Sequence, residues 1–491
     1  MGMDTPAFDR WFEAELKANP EFAARWREYE AFYERHSAFF RRRYRRQGTG
    51  DLNLFKLFIE SDLALLRAGG RLSLLVPSGL QTDEGCAELR RWLITEHRLE
   101  ELTSFENRGY KIVENGQQKS RQIFPDVDSR FKFGFFKLVK GEPPPPGHTF
   151  AARFYLHDPR EAAGPAIRYD VDMIRRFSPE NLSIMEFRRE ADYRLCARIR
   201  GEHPLMQELE FQLANELHLT NDARFFHKLE GRPPARGELP LYEGKMIWQY
   251  DAHFQPARWC VREAEVREPL LRKEVHRAAR FVRDNQVTRL GGQPTPDTRA
   301  ALEARLTKLF ESGAFKLAHE FERLGTRDVG SSTNERTLIG ALIPARVCLG
   351  NTINFVRPFR YVSDAREGLR QEPHPREALL ALLALLNSLV LNFYVRNKVS
   401  AHVNMHQLYE LPVPALTPAA RRRLAARAGR LLEHPHDVPH RAALEVFIAR
   451  DLYGLSREDW QYLTGTFTYG SGDSKAELDE ILRQSLTRWA D

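Results

Sequence analysis

The chain has few cysteines, and no two of them form a CxxC pair. Its 491 residues contain four, Cys86, Cys196, Cys260 and Cys348. Thiols this far apart give neither zinc-ribbon spacing nor the dense framework of a disulfide-stabilised secreted domain. The sequence therefore favours a reducing, cytoplasmic setting.

Long apolar runs are also lacking. The most apolar segment, Leu379 to Val395, is 17 residues long and contains Asn387, Ser388 and Asn392. This segment is too short and too polar to span a bilayer as one helix, so it predicts a helix of a protein core. Met1 to Glu30 is rich in charge and aromatic residues, unlike a secretory signal.

Several catalytic signatures are missing. The chain has no GxxxxGK[ST] phosphate loop, no GxGxxG after a predicted strand and no GxSxG elbow. Asp126 with Lys132 partly matches a metal-dependent nuclease core, but the second carboxylate before the lysine is absent. His434, His436 and His440 stand among prolines, where they fit a turn-rich linker as well as a metal site.

The charge balance is slightly basic. Lys plus Arg number 74 and Asp plus Glu 67, which gives a formal net charge of +7. This excess fits a partner with phosphates and equally a generically basic soluble protein. Five arginines surround Tyr44, and among them Arg42 and Arg43 are candidates to grip a phosphate backbone. The alternative is a solvated helix end.

One stretch, Asp51 to Leu80, reads as a helix, a glycine turn and a buried strand. Apolar residues at i, i+4, i+8 and i+11 predict the helix, Gly69-Gly70 its end, and Leu72 to Val76 a central parallel strand. A helix that feeds such a strand is half of a βαβ crossover, so an α/β domain is expected. Ser78 lies just past the carboxyl end of the strand, where α/β sheets bind ligands.

Other segments extend this prediction. Pro20 begins a helix with Asn19 as its N-cap, Leu99 to Phe105 is a strand, and Phe131 to Val139 is an aromatic-rich strand paired antiparallel at the sheet edge. Gly141 to Gly147, GEPPPPG, is a linker.

The sequence pattern changes after about residue 206. Short strand-like pieces there carry polar side chains of the kind that read bases. Thr337 to Ile343 and Val347 to Val356 predict a hairpin around Pro344. A helical insert carries a basic stripe on an apolar back, which suits either a helix lying on DNA or a solvated face; its members are Arg272, His276, Arg280 and Arg283.

A family resemblance is carried by motifs that follow one another along the chain. The segments DLNLFKLF (51–58), LLRAGGRL (65–72) and VPS (76–78) resemble the second half of an adenine-N6 DNA methyltransferase domain. FPDVDSRFKF (124–133), YEGKMI (242–247), TNERTLI (333–339), LLNS (385–388) and LPVP (411–414) are similar to later parts of type IIG restriction–modification enzymes and related phage-defence methylases.

Two motifs of that family are missing from this chain. They are the methyl-donor loop, a Phe-x-Gly-x-Gly turn, and the Asn-Pro-Pro-aromatic catalytic motif, both of which precede the helix–strand unit in the family. Adenosylmethionine requires a glycine turn, and a flipped adenine needs Asn and Pro carbonyl oxygens and an aromatic ring. We expect the chain to begin just downstream of the catalytic motif.

The resemblance implies an α/β fold with the second half of a Rossmann-like methyltransferase sheet, an α+β target-recognition domain and a helical tail. The expected parts are a helical segment (1–46), the methyltransferase half-domain (47–140), a connecting region (141–205), the target-recognition domain (206–415) and the tail (416–491).

Two functions are compatible with these parts. The chain is either part of an S-adenosylmethionine-dependent adenine methyltransferase, inactive without an upstream polypeptide that carries the first half, or a DNA-specificity subunit with no chemistry. Double-stranded DNA is the expected partner of both, and Ser78 would line the donor or base pocket. Because Asn and Gln pair with adenine edges and Arg and Lys with guanine, the base-reading candidates are Lys245, Gln249, Asn334, Arg336, Asn351 and Asn404.

Overall fold

The chain divides after Ala191 into two units, Met1–Ala191 and Asp192–Asp491. The computed structural model describes residues 5–47, 50–114, 117–331, 333–364, 368–399 and 402–489. Both units mix helices with sheets, so the α/β character predicted from the sequence is confirmed at the level of a mixed α/β fold.

The first unit contains helices α1 to α6 and strands β1 to β7. The helices are α1 (Thr5–Ala18), α2 (Pro20–Arg43), α3 (Leu54–Leu65), α4 (Gly79–Thr82), α5 (Ala87–Thr95) and α6 (Val171–Phe177). The strands are β1 (Arg71–Pro77), β2 (Arg98–Glu106), β3 (Tyr110–Glu114), β4 (Gln117–Arg121), β5 (Lys132–Val139), β6 (Thr149–Leu156) and β7 (Ile167–Asp170).

The second unit contains the later elements. Its helices are α7 (Glu190–Arg200), α8 (Glu263–Asp284), α9 (Arg299–Glu311), α10 (Arg376–Leu386), α11 (Leu389–Arg396), α12 (Met405–Tyr409), α13 (Pro418–Glu433), α14 (Val438–Val446), α15 (Arg457–Gly465) and α16 (Gly472–Arg488). Its strands are β8 (Leu213–Ala214), β9 (His227–Lys228), β10 (Glu238–Tyr242), β11 (Trp259–Arg262), β12 (Arg289–Leu290), β13 (Gln293–Pro294), β14 (Arg323–Arg327), β15 (Gly340–Ile343), β16 (Cys348–Leu349), β17 (Ile353–Val356), β18 (Phe359–Asp364) and β19 (Gly368–Pro373).

The predicted helix–turn–strand stretch is present as α3 and β1. Ile59 and Leu63 are buried on the inner face of α3. The helix ends at Leu65 with Leu66 as an extended C-cap, earlier than the predicted end at Gly69-Gly70, and Gly69 has a φ of +73° in the turn that leads into β1. Asn19 caps α2, as the sequence predicts, because its Oδ1 accepts a hydrogen bond from the backbone N–H of Phe22 at 3.1 Å.

The position of β1 in the sheet differs from the prediction of a central parallel strand. The strand order is β1-β5-β2-β6-β7, and within the described part of the chain β1 pairs only with β5, in antiparallel register. The prediction that Phe131–Val139 lies at the sheet edge is also wrong, because β5 lies between β1 and β2 and is antiparallel to both. Apolar patterning reveals that a strand is buried but not which strands flank it.

Three strands of this sheet run in the same direction. β1 and β2 are parallel to each other because both are antiparallel to β5, and β6 pairs parallel with β2. The carboxyl ends of β1, β2 and β6 therefore lie at one edge of the sheet. This edge is where the topology of an open α/β sheet favours ligand binding.

In the second unit, the predicted hairpin between Thr337–Ile343 and Val347–Val356 is absent. β15 and β17 both pair with β14, which lies between them. The chain between them passes through β16, which pairs in parallel with β10 of a different sheet. The turn after Ile343 therefore carries the chain from one sheet to another, and Arg346 adopts a φ of +64° there.

The predicted core helix is buried as expected, but it is two helices. α10 and α11 meet at a bend of 58°, and the break falls at Asn387 and Ser388. The Ser388 hydroxyl accepts a hydrogen bond from the Leu391 N–H and so caps α11. Among the described residues, no single helix is long and apolar enough to cross a membrane, and only the bent pair has the combined length and composition.

The Asn387 amide joins this helix break to strand β15. Its Oδ1 accepts a hydrogen bond from the Gly340 N–H at 2.8 Å, and its Nδ2 donates to the Gly340 carbonyl at 2.9 Å. All four groups are buried. We expect Asn387→Ala to lower the free energy of unfolding by about 1–3 kcal/mol, because the buried Gly340 N–H loses its acceptor, whereas the Gly340 carbonyl keeps a hydrogen bond from the Tyr250 N–H at 3.1 Å.

Chemical denaturation of the wild-type and variant chains measures this difference. Asn334→Ala is the matched control, since that asparagine is exposed and its removal should change stability by less than about 0.5 kcal/mol. Equal stability of the Asn387 and Asn334 variants would contradict the proposed importance of the clamp.

Candidate nucleic-acid interface and sheet-edge site

Ser78 lies at the carboxyl edge of the first unit's sheet, where the sequence predicts it. Its backbone N–H donates to the Lys132 carbonyl at 3.2 Å, and its carbonyl accepts from the Gln81 N–H at 2.8 Å. The residue is half-buried and precedes the short helix α4. The backbone of Ser78 is therefore fixed next to the first residue of β5.

A charged cluster extends along the same edge. Lys132 Nζ lies 2.7 Å from a Glu186 carboxylate oxygen and 3.8 Å from one of Glu106, and His157 Nε2 lies 2.9 Å from the other oxygen of Glu106. Burial raises the pKa of Glu106, but the hydrogen bond with His157 and the Lys132 charge outweigh it and hold the pKa below its usual value.

Tyr155 is the most unusual residue of this edge. It lies within β6, at a shift in the register of the β2–β6 pairing, and has a φ of +60°, a conformation that a tyrosine rarely adopts. Lys132 Nζ and Arg188 Cζ lie 4.2 and 4.0 Å from its ring centroid. Burial, with the nearby Glu186 carboxylate, raises the pKa of the Tyr155 hydroxyl well above its usual value, so the hydroxyl remains protonated and donates.

Sequence reasoning missed Tyr155, His157 and Glu186. One signal was available for Glu106, since it directly follows the predicted strand Leu99–Phe105 and residues at such positions lie at the ligand edge. The others come from segments without a distinctive pattern. The cluster can bind and orient polar groups, but it holds no activated nucleophile.

Asn107 holds the FPDV motif beside this edge. Its Nδ2 donates to the carbonyls of Phe124 and Val127 at 2.9 Å each, and its Oδ1 accepts from the Phe124 N–H. Asp126 within the motif is exposed. Among the described residues there is no group of three or more His, Cys, Asp or Glu side chains that could hold a metal ion.

Arg42 and Arg43 are exposed at the C-terminal end of α2. The Arg43 guanidinium lies 5.6 Å from the Tyr44 ring centroid. Cations at this end of a helix also offset the partial negative charge of the helix dipole. Their exposure is compatible with both a phosphate contact and a solvated helix end.

Three loops of the second unit are joined by hydrogen bonds. The first is residues 243–256, which we call the aromatic loop; the others contain Asp328 and His402. The Gly244 N–H donates to the Thr352 hydroxyl, and the Asp328 N–H donates to the Thr352 carbonyl, both at 2.9 Å. The Asp328 carboxylate lies 2.8 Å from His402 Nδ1. One surface therefore collects loops that are far apart in sequence.

Three predicted base-reading residues are exposed on or next to these loops: Lys245, Asn334 and Asn404. Lys245 Nζ lies 3.6 Å from the Glu243 carboxylate. Asn404 begins α12, and its backbone N–H donates to Gln407 Oε1 at 2.9 Å. The side chains of all three extend from well-ordered secondary-structure ends or turns and are accessible.

The base-reading role predicted for Gln249 and Arg336 is contradicted by their burial. Gln249 is 1% exposed, and its amide donates to the backbone carbonyls of Leu338 and Asn387 and accepts from Arg441. Arg336 is 3% exposed, and burial lowers its pKa to about 10. A DNA base has no access to side chains packed inside the unit.

Asn351 also has a structural contact. Its Oδ1 accepts a hydrogen bond from the Leu219 N–H at 2.9 Å, and the side chain is half-buried. Sequence reasoning could not separate these residues from exposed ones, because an amide that satisfies a buried backbone group and one that reads a base are the same residue type.

A stacked aromatic pair on the aromatic loop, the exposed Phe254 and the half-buried Trp248, was missed. The rings of Trp248 and Phe254 are stacked, with centroids 5.4 Å apart and an interplanar angle of 25°. The Arg327 guanidinium lies 5.0 Å from the Trp248 ring centroid. The signal available in the sequence was an aromatic pair flanked by Lys245 and His253.

The basic stripe predicted on the helical insert lies on the outer face of α8. All four of its members are exposed, while Val275 and Val282 on the opposite face are buried. Arg280 is paired with Asp284 at 3.3 Å. This face supplies positive charge within the second unit.

Comparison with known proteins gives one family match. Residues 26–112 match the family model described as Eco57I restriction-modification methylase. This segment contains α3 and β1, and the motifs at residues 51–58, 65–72 and 76–78 that carry part of the resemblance stated above lie within it. No curated protein matches the chain.

Solved structures of restriction–modification enzymes are similar at low identity. The type IIL enzyme MmeI in complex with DNA has 12% identity and a TM-score of 0.42, with 90% of this chain and 53% of that chain covered. The type IIG endonuclease BpuSI has 10% identity and a TM-score of 0.30, with 90% and 50% covered. The chain thus spans about half the length of these enzymes, and the family model matches residues 26–112.

Because Arg336 is buried, we predict that its replacement affects the stability of the protein, which is a different effect from the loss of a base-reading side chain. Burial raises the pKa of the nearby Glu445, while the Arg336 charge is foremost among the interactions that lower it. Arg336→Ala should lower the free energy of unfolding by about 3 kcal/mol at pH 7, because a buried carboxylate loses a compensating charge.

The deficit of this variant should shrink as the pH falls from 7 towards 5. A folded-state pKa raised above the unfolded value means that the folded state binds the extra proton, so stability falls as pH rises. Denaturation at several pH values measures this slope, with Lys245→Ala as the exposed control. A pH-independent deficit would exclude the proposed coupling to Glu445.

Proposed function

We propose that the chain is the DNA-recognising part of a site-specific adenine-N6 methyltransferase, because residues 26–112 match the family model of restriction-modification methylases. Met1–Ala191 would form the second half of its Rossmann-like sheet, and Asp192–Asp491 would recognise the target in double-stranded DNA. The methyl donor of this reaction would be S-adenosylmethionine. Each of these finer assignments is a proposal that the following observations support.

The observation that carries the proposal is that β1 has a strand partner on one side only, β5, among the residues that the structure describes. A strand with one bare edge presents backbone N–H and C=O groups to a further strand. Leu75 in this strand is 55% exposed, and Leu65 at the end of α3 is 84% exposed. In this sheet β5 lies between β1 and β2, which are parallel to each other, and β1 is the last strand. This order fits a sheet that another polypeptide segment extends beyond β1.

The distribution of exposed apolar side chains supports the same conclusion. Among the described residues, fourteen large apolar side chains are exposed in Met1–Ala191 and three in the longer Asp192–Asp491. Exposed apolar groups concentrated on one unit mark a surface that another protein segment covers. The helices α2 and α3 contribute several of them, and among its described residues α2 buries none.

The residues around Ser78 do not complete a site for the donor. Gly79 is the glycine nearest the end of β1, but the space that a Cβ would occupy there is filled by the Asp83 carboxylate. This carboxylate would also repel the carboxylate of the donor. We therefore assign donor binding and the reacting groups to the polypeptide that pairs with β1, and no chemical step is derived for this chain.

The proposal predicts that the purified chain binds DNA but does not methylate it. Incubation with DNA and methyl-labelled S-adenosylmethionine should give no labelled adenine. Addition of a polypeptide from the same locus with the Phe-x-Gly-x-Gly turn and the Asn-Pro-Pro-aromatic motif should restore labelling. Robust methylation by the chain alone would refute the proposed division of the domain.

The edge itself is tested by Leu75→Lys. The added polypeptide would bury this lysine next to its own strand. The substitution should therefore weaken association with that polypeptide by about tenfold or more and reduce methylation in parallel. Val113→Lys is the control, since Val113 is equally apolar and exposed but lies in the separate β3–β4 hairpin. Association without any methylation would favour the alternative, a DNA-specificity subunit without catalytic activity.

A further inference from the structure

Phe254 is exposed and stacks on the half-buried ring of Trp248. Phe254 is 47% exposed, and it is one of three large apolar side chains exposed among the described residues of the second unit. The pair is stacked, so each ring already buries one region against the other. Exposed aromatic surface costs free energy unless a partner covers it.

The aromatic loop that carries the pair is held in place by buried side chains and by backbone hydrogen bonds. Met246, Ile247, Gln249, Tyr250 and Ala252 are buried. Backbone hydrogen bonds between Trp248 and Asp251, at 2.8 and 3.1 Å, close a turn in which Tyr250 has a φ of +65°. The two rings are therefore held by a loop whose conformation is already fixed. A ligand that binds them would lose little free energy in ordering this loop.

A cation completes the arrangement. Arg327 Nε donates to the Ile247 carbonyl at 2.9 Å, and its guanidinium lies 5.0 Å from the Trp248 ring centroid. Burial lowers the pKa of Arg327 to about 10, so the group remains charged at neutral pH. No ion pair joins Arg327 to a carboxylate among the described residues.

The surrounding charges balance one another. Lys245, Arg258 and Arg327 are matched by Glu243, Asp251 and Asp328, and the Glu243 carboxylate lies 2.9 Å from Arg258. Net charge therefore does not make this surface a phosphate clamp. It offers a ring face, hydrogen-bond donors and hydrogen-bond acceptors side by side, which is the chemistry that a nucleobase matches.

We propose that Trp248 and Phe254 form a stacking platform for a nucleobase that leaves its stack when DNA binds to the second unit. This inference rests on the proposed function, in which that unit binds DNA. The base would stack on the exposed aromatic surface, with Phe254 as the outer contact. Exposed amides on neighbouring loops, such as Asn334 and Asn404, lie on the same unit and remain accessible to base edges.

The test uses the full chain and a duplex obtained by selection from random-sequence DNA on the wild-type protein. Each adenine of that duplex is replaced in turn by 2-aminopurine, whose fluorescence rises when it is unstacked from its neighbours. Wild-type protein should raise the fluorescence at one position or at adjacent positions. Phe254→Ala should abolish that rise and weaken binding about 5- to 100-fold, which is the range for loss of one stacking contact.

Two variants control for folding and for general aromatic effects. Phe254→Tyr keeps a stacking ring and should retain the fluorescence signal. Tyr469→Ala removes another exposed aromatic of the same unit and should leave affinity within about twofold of wild type. Thermal melting of each variant reports whether it folds, and Phe254→Ala is preferred over Trp248→Ala because Phe254 is the more exposed ring.

The outcomes separate this inference from the proposed function. If no duplex is selected, DNA recognition by the chain is refuted and the platform with it. If a duplex binds without any 2-aminopurine response and Phe254→Ala binds it as tightly as wild type, the platform is refuted while DNA recognition stands. Loss of self-association in Phe254→Ala, with unchanged DNA binding, would assign the pair to a protein interface and overturn the inference.

Discussion

Buried side-chain amides connect the break between α10 and α11 to the loops of the second unit. Asn387 bonds both backbone groups of Gly340, and Asn392 Oδ1 accepts from the N–H groups of Thr337 and Leu338 at 3.0 Å each. Gln249 joins the aromatic loop to the same helix break. Each buried group that lost its partner would cost about 1–3 kcal/mol, so these bonds form as a set.

This network separates the structural face of the loops from their exposed face. Gln249 and Arg336 are on the buried side, whereas Trp248, Lys245 and Asn334 are accessible. An exposed aromatic ring binds well only when its backbone is already fixed, because ordering a loop on binding consumes part of the binding free energy. The buried amides therefore support the proposed DNA contacts without touching DNA themselves.

A different constraint governs the first unit. Its sheet ends at β1, and the apolar side chains of α2, α3 and β1 are exposed beside that end. Apolar side chains that stay exposed beside an unpaired strand contribute no burial free energy to offset the entropy of ordering the chain. The polar cluster around Tyr155 lies at the carboxyl edge of the same sheet, where the proposed second polypeptide would bring its donor site.

Local residue patterns are enough to predict where several elements begin and which segments are buried. Asn19 and Pro20 predicted the start of α2, the apolar stripe predicted α3, and the segment from Leu379 to Val395 predicted a buried helical region, because capping and periodic burial depend on neighbouring residues. The family motifs were also readable, since they are local patterns. Ser78 was correctly expected after a strand for the same reason.

Which strands are neighbours in a sheet and which side chains are exposed depend on the tertiary structure. β5 lies between β1 and β2, and β14 lies between β15 and β17, because strand order depends on the path of the whole chain and not on local alternation. Gln249 and Lys245 are four residues apart and equally polar, yet one satisfies buried carbonyls and the other meets solvent. Residue type fixes which hydrogen bonds a side chain can make, whereas the packed fold fixes which partner it finds.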